Sequence, residues 1–240
     1  MGLHITVGAL ADLEKNDKES TSFIYDDFIE INNTLTDYGL SNHYEPKSCK
    51  VLSLCGYGYY GLHALREVAG MVWKNKPIPN NKILTGKESS YNDELIEAIY
   101  LFLGDKSGKR WFNKLKPKRF NPVLPPFMHL MIHSDAGGYY VPIDFSIPLM
   151  PKDSPKEYLD IWPLGSVQQL SKEIDVLIKA LNIPDYLGYQ SEIFEKLFEG
   201  DRLKNHNGIW SSQPIAAYSA LILQEACKHS MKTGAAIAFS

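Results

Sequence analysis

The stretch FMHLMIHSDAGGYYVPIDF, residues 127–145, decides how the rest of the chain is read. An apolar run ends in His133-Ser134-Asp135, two glycines follow, and a second apolar run closes at Phe145. Short apolar runs punctuated this way predict a buried strand, a polar turn and a returning extended segment. Pro125-Pro126 force an extended approach, which favours a strand over a helix at His129.

That reading limits the chemistry. On a strand, His129 and His133 share a face but lie about 13 Å apart, too far to bind one metal. The HExxH signature is absent, since the segment reads HLMIH. A metal held by His133, Asp135 and a distant residue such as His63 stays geometrically open, but no metal and no cofactor is expected. The stronger expectation is a polar cluster at a strand end, where α/β folds gather ligands. His133 has the chemistry of a general base near neutral pH, and Asp135 could orient it or accept hydrogen bonds from a substrate. Those two are the catalytic candidates. The structural alternative is that Asp135 caps the turn at Gly137-Gly138.

Working outward, Asp144 lies inside YYVPIDF, where a carboxylate needs solvent or a partner such as Arg66 or a tyrosine hydroxyl. Upstream, GYGYYG at 56–61 places three glycines and three tyrosines before a helical pattern that carries Arg66. It lacks the Lys-Ser or Lys-Thr of a P-loop. Its amides could still form an anion nest. Tyr57, Tyr59, Tyr60, Arg66, Ser134 and Asp144 are therefore the ligand-binding candidates. No GxSxG elbow is present.

The flanking pattern predicts a strand at 3–10, a polar loop at 11–22 and either a strand or a short helix at 23–35. A strand follows at 50–55, then helices at 62–73 and 91–103. Four prolines make 148–165 a long connection. Ser166 caps a helix to Leu181, and another helix covers 189–198. The last helix has Pro214 in its first turn and stops at Gly234, before a closing strand, AAIAF. One domain over 1–240 is expected: α/β or α+β, with a mixed sheet that includes the N- and C-terminal strands, covered by several helices.

At 240 residues the chain can bury a full core without disulfides. Three cysteines with no CxxC spacing predict a reducing, cytoplasmic setting. No signal peptide and no membrane span is expected. A net charge of −3 offers no footprint for nucleic acid beyond one basic segment, 106–119, whose Trp111 and Phe112 could stack on bases.

MGLHIT at the start, GYGYYGLHALR in the middle, HSDAGG, and a last helix running into GAAIAF together resemble a set of small bacterial and phage proteins. Those begin MGLDI, carry an SGY-like loop before a helix, and hold an SD-x-x-G segment. Ser134, Asp135 and Gly138 match that segment, while position 4 is His in place of Asp. The resemblance implies no particular activity. By analogy, small acidic proteins of this kind include immunity or inhibitor proteins that bind a toxin or an enzyme.

Two functions follow. The first is a non-enzymatic binding protein for a protein partner or small polar ligand, supported by 14 tyrosines and the lack of a catalytic signature. The second is a hydrolase or transferase using His133 and Asp135. A nucleic-acid role through 106–119 is a distant third.

Overall fold

The computed structural model describes residues 3–56, 58–86, 90–107, 124–135, 137–151, 161–199 and 208–240. Strand β1 (His4–Val7) opens the chain and β5 (Ile237–Phe239) closes it, and the two pair antiparallel. With β2 (Leu52–Cys55), β3 (Tyr139–Val141) and β4 (Gly165–Ser166) they form one sheet in the order β2-β1-β5-β3-β4. Only the β3–β4 pair is parallel. The expected mixed α/β sheet containing both terminal strands is present.

Alternation along the strands sorts side chains between two faces. Ile5, Val7, Leu54, Tyr140, Ile237 and Phe239 enter the larger core. That core is covered by α3 (Gly58–Trp73), α4 (Ser90–Ser107), α6 (Val167–Ala180) and α9 (Pro214–Thr233). Tyr139, Val141, Ala236 and Ala238 face the other way, against Phe28, Ile31 and Leu35 of α2 (Thr21–Asp37). The sheet is thus a middle layer with helices on both sides. Gly165 is required at β4 because a Cβ there would sit 2.0 Å from the Tyr140 ring.

The ends of several helices follow the sequence signals. Ser166 caps α6 by accepting the Gln169 amide, Pro214 occupies the first turn of α9, and Gly234 ends it. Helix α7 (Glu192–Phe198) lies inside its expected window. Other expectations fail. Residues 11–22 are not a loop: they hold most of α1 (Ala9–Asn16), a 3-10 turn (Lys18–Ser20) and the start of α2. Gly8, at φ 85, turns the chain from β1 directly into α1. The undecided stretch 23–35 is helical. Ile24, Phe28, Ile31 and Leu35 form its inner stripe, but Phe23 and Ile29 lie exposed and blur the period.

The opening stretch is also corrected. Residues 128–131 form a short helix, α5 (Met128–Met131), where a strand was expected. Phe127 adopts a left-handed conformation, φ 60, that turns the chain away from its proline-imposed path. Only Tyr139–Val141 of the returning segment is strand. A further short helix, α8 (Ile209–Ser212), precedes α9.

Candidate functional site

Helix α5 has too few turns to hold itself, and its two ends are held by side chains from neighbouring helices. At its N-terminus the amides of His129 and Leu130 donate to the two carboxylate oxygens of Glu173, at 3.0 and 2.8 Å. At its C-terminus lies Arg66, buried on α3. Its Nε donates to the Leu130 carbonyl at 2.8 Å and its Nη2 to the His133 carbonyl at 2.6 Å, while Nη1 pairs with Asp135. A carboxyl group at one end and a guanidinium at the other satisfy backbone groups that the helix termini leave without an intrahelical partner.

This arrangement answers where the expected site residues sit. Asp135 pairs with Arg66 through one oxygen and lies 2.9 Å from His63 Nε2 through the other. It therefore closes on α3, just beyond the glycine-tyrosine loop, and ties the two segments together. His133 is buried, stacked on Tyr140 at 4.0 Å between ring centroids, with Phe239 against its edge. Its ring nitrogens face the carbonyls of Ser134 and Tyr139, at 2.9 and 3.3 Å, not the Asp135 carboxylate. Asp144 is exposed and, among the described residues, meets Gln169 and Lys172 on α6 and not Arg66 or a tyrosine. Tyr59 and Tyr60 are exposed on the first turn of α3. Tyr57 lies outside the described residues, as does the basic segment apart from 106 and 107 in the last turn of α4. Among the described residues no cluster of three or more His, Cys, Asp or Glu could hold a metal. A cleft of about 430 Å³ exists elsewhere, between Lys50, Tyr189, Glu225 and His229, and none of the expected site residues lines it.

Burial sets the proton states around α5. His129 and His133 are both lowered to about 4 because enclosure disfavours the charged ring. His129 Nδ1 accepts the Ser166 amide at 3.0 Å. The carboxyl of Glu173 is raised to about 8 by burial, against the pull of its two amide donors. The residue as a whole is half-buried, but both oxygens are occupied by amides, so the enclosed environment governs the direction.

These shifts act in opposite senses on stability. An unfolded imidazole near 6.5 binds more protons than the native one near 4, so the two histidines favour folding at neutral pH and oppose it as pH falls from 6.5 to 4. Glu173, raised from 4.5, favours the native state on the acid side and loses that contribution as pH rises through 8. Glu173→Gln removes the opposing group. The variant should lose roughly 2 kcal/mol more than the unaltered protein between about pH 7 and about pH 5. Urea unfolding at the two pH values reads this directly, and parallel pH dependences would discount the buried carboxyl.

The surface feature that sequence reading missed lies on the other side of the sheet. Of the chain's 28 acids and 25 bases, nine acids and two bases fall between Leu3 and Glu45, leaving 19 acids and 23 bases elsewhere. The first stretch therefore carries −7 and the remainder +4. A segmental charge count would have found it; the net value of −3 concealed it.

Some of these nine carboxylates hold structure. Asp27 accepts the Tyr139 hydroxyl at 2.6 Å, Glu14 that of Tyr25 at 2.6 Å, and Glu45 accepts the Ala236 amide at 2.7 Å. Asp26, Glu30 and Asp37 instead line the outer side of α2, opposite the stripe formed by Ile24, Phe28, Ile31 and Leu35, with Glu19 just before the helix. At a rise of 1.5 Å per residue, Asp26 to Glu30 spans about 6 Å along the axis and Glu30 to Asp37 about 10 Å. Phosphates on one DNA strand recur about every 3.4 Å of axis, so these are steps of about two and three phosphates. Phe23 and Ile29, 73% and 56% exposed, stand among the carboxylates.

No described helix is long and apolar enough to cross a membrane. Searches of curated proteins and of solved structures find no match. A family model described as "Putative DNA-mimic protein" matches residues 1–239, which supports a role of the protein-mimicry kind rather than a specific catalytic or nucleic-acid-binding activity. Because that match spans nearly the whole chain, the protein belongs to the DNA-mimic family so described.

Proposed function

We propose that this protein occupies the DNA-binding surface of a basic, DNA-binding partner protein, using the outer side of α1, the 3-10 turn and α2 in place of a phosphate backbone. The observation that carries the reading is the segregation of charge: nine carboxylates against two lysines in Leu3–Glu45, within a chain that is otherwise net positive. Local stability accounts for only part of the pattern. Asp26 and Glu30 are like charges four apart on a helix, which costs a few tenths of a kcal/mol. Asp37 sits at the C-terminal end of α2, where the helix dipole disfavours an anion. The like-charge pair Asp26 and Glu30 breaks a local rule, as residues at functional surfaces do. Phe23 and Ile29 supply apolar contact within the acidic field, as an inhibitor-like interface requires.

The reading refines the expectation of a non-enzymatic binding protein with a protein partner. It also accounts for the weak nucleic-acid signal, since a surface that resembles DNA repels DNA. The test is competition. Proteins retained by the immobilised full-length chain should be displaced by double-stranded DNA at constant ionic strength, and retention should fall steeply with added salt. A partner that binds this chain and its own DNA simultaneously would refute the proposal.

A further inference from the structure

Helix α2 covers the β3–β5 half of the outer sheet face, and the β1–β2 half of that face carries a second cluster. Strand β2 is the sheet edge, and its Ser53 and Cys55 are exposed on the face away from the core. His4 is paired directly opposite Cys55 across the antiparallel ladder. Its Nδ1 lies 3.7 Å from Cys55 Sγ, and its Nε2 lies 2.9 Å from Ser53 Oγ. With the ring proton on Nε2, the imidazole donates to Ser53 and presents a free lone pair to the thiol. That arrangement is a nucleophile, a base and a group orienting the base. The other two thiols lack it: Cys49 is half-buried and Cys227 fully buried, and burial pushes both upward.

We propose that Cys55 is a thiol–disulfide exchange site, with His4 as its base and Ser53 as a positioning residue, and that it accepts low-molecular-weight disulfides of the glutathione class. The thiol proton passes to His4 Nδ1 as Cys55 Sγ attacks one sulfur of the disulfide. A new Sγ–S bond forms while the original S–S bond breaks, and the departing thiolate takes the proton from His4. The products are a mixed disulfide on Cys55 and one free thiol, so the incoming disulfide is the only oxidant needed. An exposed edge strand leaves room for the adduct.

The experiment treats the full-length protein with glutathione disulfide at several pH values and maps the adduct by mass spectrometry. Cys55 should be modified first, about 10-fold faster than Cys49. His4→Gln should slow Cys55 about 10-fold near neutral pH and change the shape of its pH–rate profile. Ser53→Ala should slow it about 3-fold and move the same profile, which a merely structural serine would not do. As a check that needs no variant, native Cys55 should react with iodoacetamide faster near neutral pH than the same cysteine in the urea-unfolded chain. Modification of Cys49 first, an unchanged rate and profile in His4→Gln, or slower alkylation of the native thiol would each overturn the assignment.

Discussion

Arg66→Ala should destabilise the protein by about 3–5 kcal/mol, lowering the thermal midpoint by roughly 10 °C. The side chain is buried, and its loss strands three acceptors at once: the carbonyls of Leu130 and His133 and one oxygen of Asp135. One of those, the Leu130 carbonyl, lies in the last turn of α5, and the His133 carbonyl follows two residues beyond its end; so short a helix does not persist without an external donor. Arg66→Lys should recover only part of the loss, because a single ammonium cannot span three acceptors arranged for a planar fork. Asp135→Ala should cost less, about 1–2 kcal/mol, since its carboxylate is 29% exposed and water can replace it. Chemical denaturation of the three variants tests the ranking. If Arg66→Ala unfolds at the same denaturant concentration as the unaltered protein, the clamp is not structural, and the cluster around Asp135 must be reconsidered as a ligand site.

Reversing Asp26, Glu30 and Asp37 to Lys should weaken binding to a DNA-displaceable partner on the order of 1000-fold, because each reversal turns attraction into like-charge repulsion. Folding should be unaffected or slightly favoured, because the variant removes the like-charge pair on α2 and places a cation at its C-terminal end. The control is an equal change of charge on another exposed acidic helix: Glu192 and Glu195 in the first turn of α7 and Glu199 just beyond its end, reversed to Lys. A specific DNA-like surface predicts that only the α2 variant loses binding. Equal losses in both would show that total charge, and not the placement of carboxylates on α2, governs association. Phe23→Ala should add a smaller loss that does not vary with salt, since its contribution is apolar contact.

Much of the fold was legible in local pattern. Val7 and Ile5 alternate with Thr6 and His4, Ser166 stands where a helix cap belongs, Pro214 and Gly234 bracket the last helix, and AAIAF returns to the first strand. Each of these signals acts over a few residues, and period or cap chemistry alone specifies it. Helix α2 was ambiguous for an equally local reason: the exposure of Phe23 and Ile29 serves an outer surface and not the core, so it breaks the period that would have announced the helix.

What tertiary structure alone settled is α5 and the fate of His133 and Asp135. A four-residue helix carries no periodic signal, and its two anchors, Glu173 and Arg66, come from helices far away in the chain. Those anchors turned an apparent strand end with a His-Asp pair into a clamp in which the imidazole faces backbone carbonyls and the carboxylate faces an arginine. The acidic layer is the reverse case. Its composition stood in the first 45 residues throughout, but only the packing of Phe28, Ile31 and Leu35 against the sheet shows which carboxylates are turned outward, because burial of one helix face determines the exposure of the other.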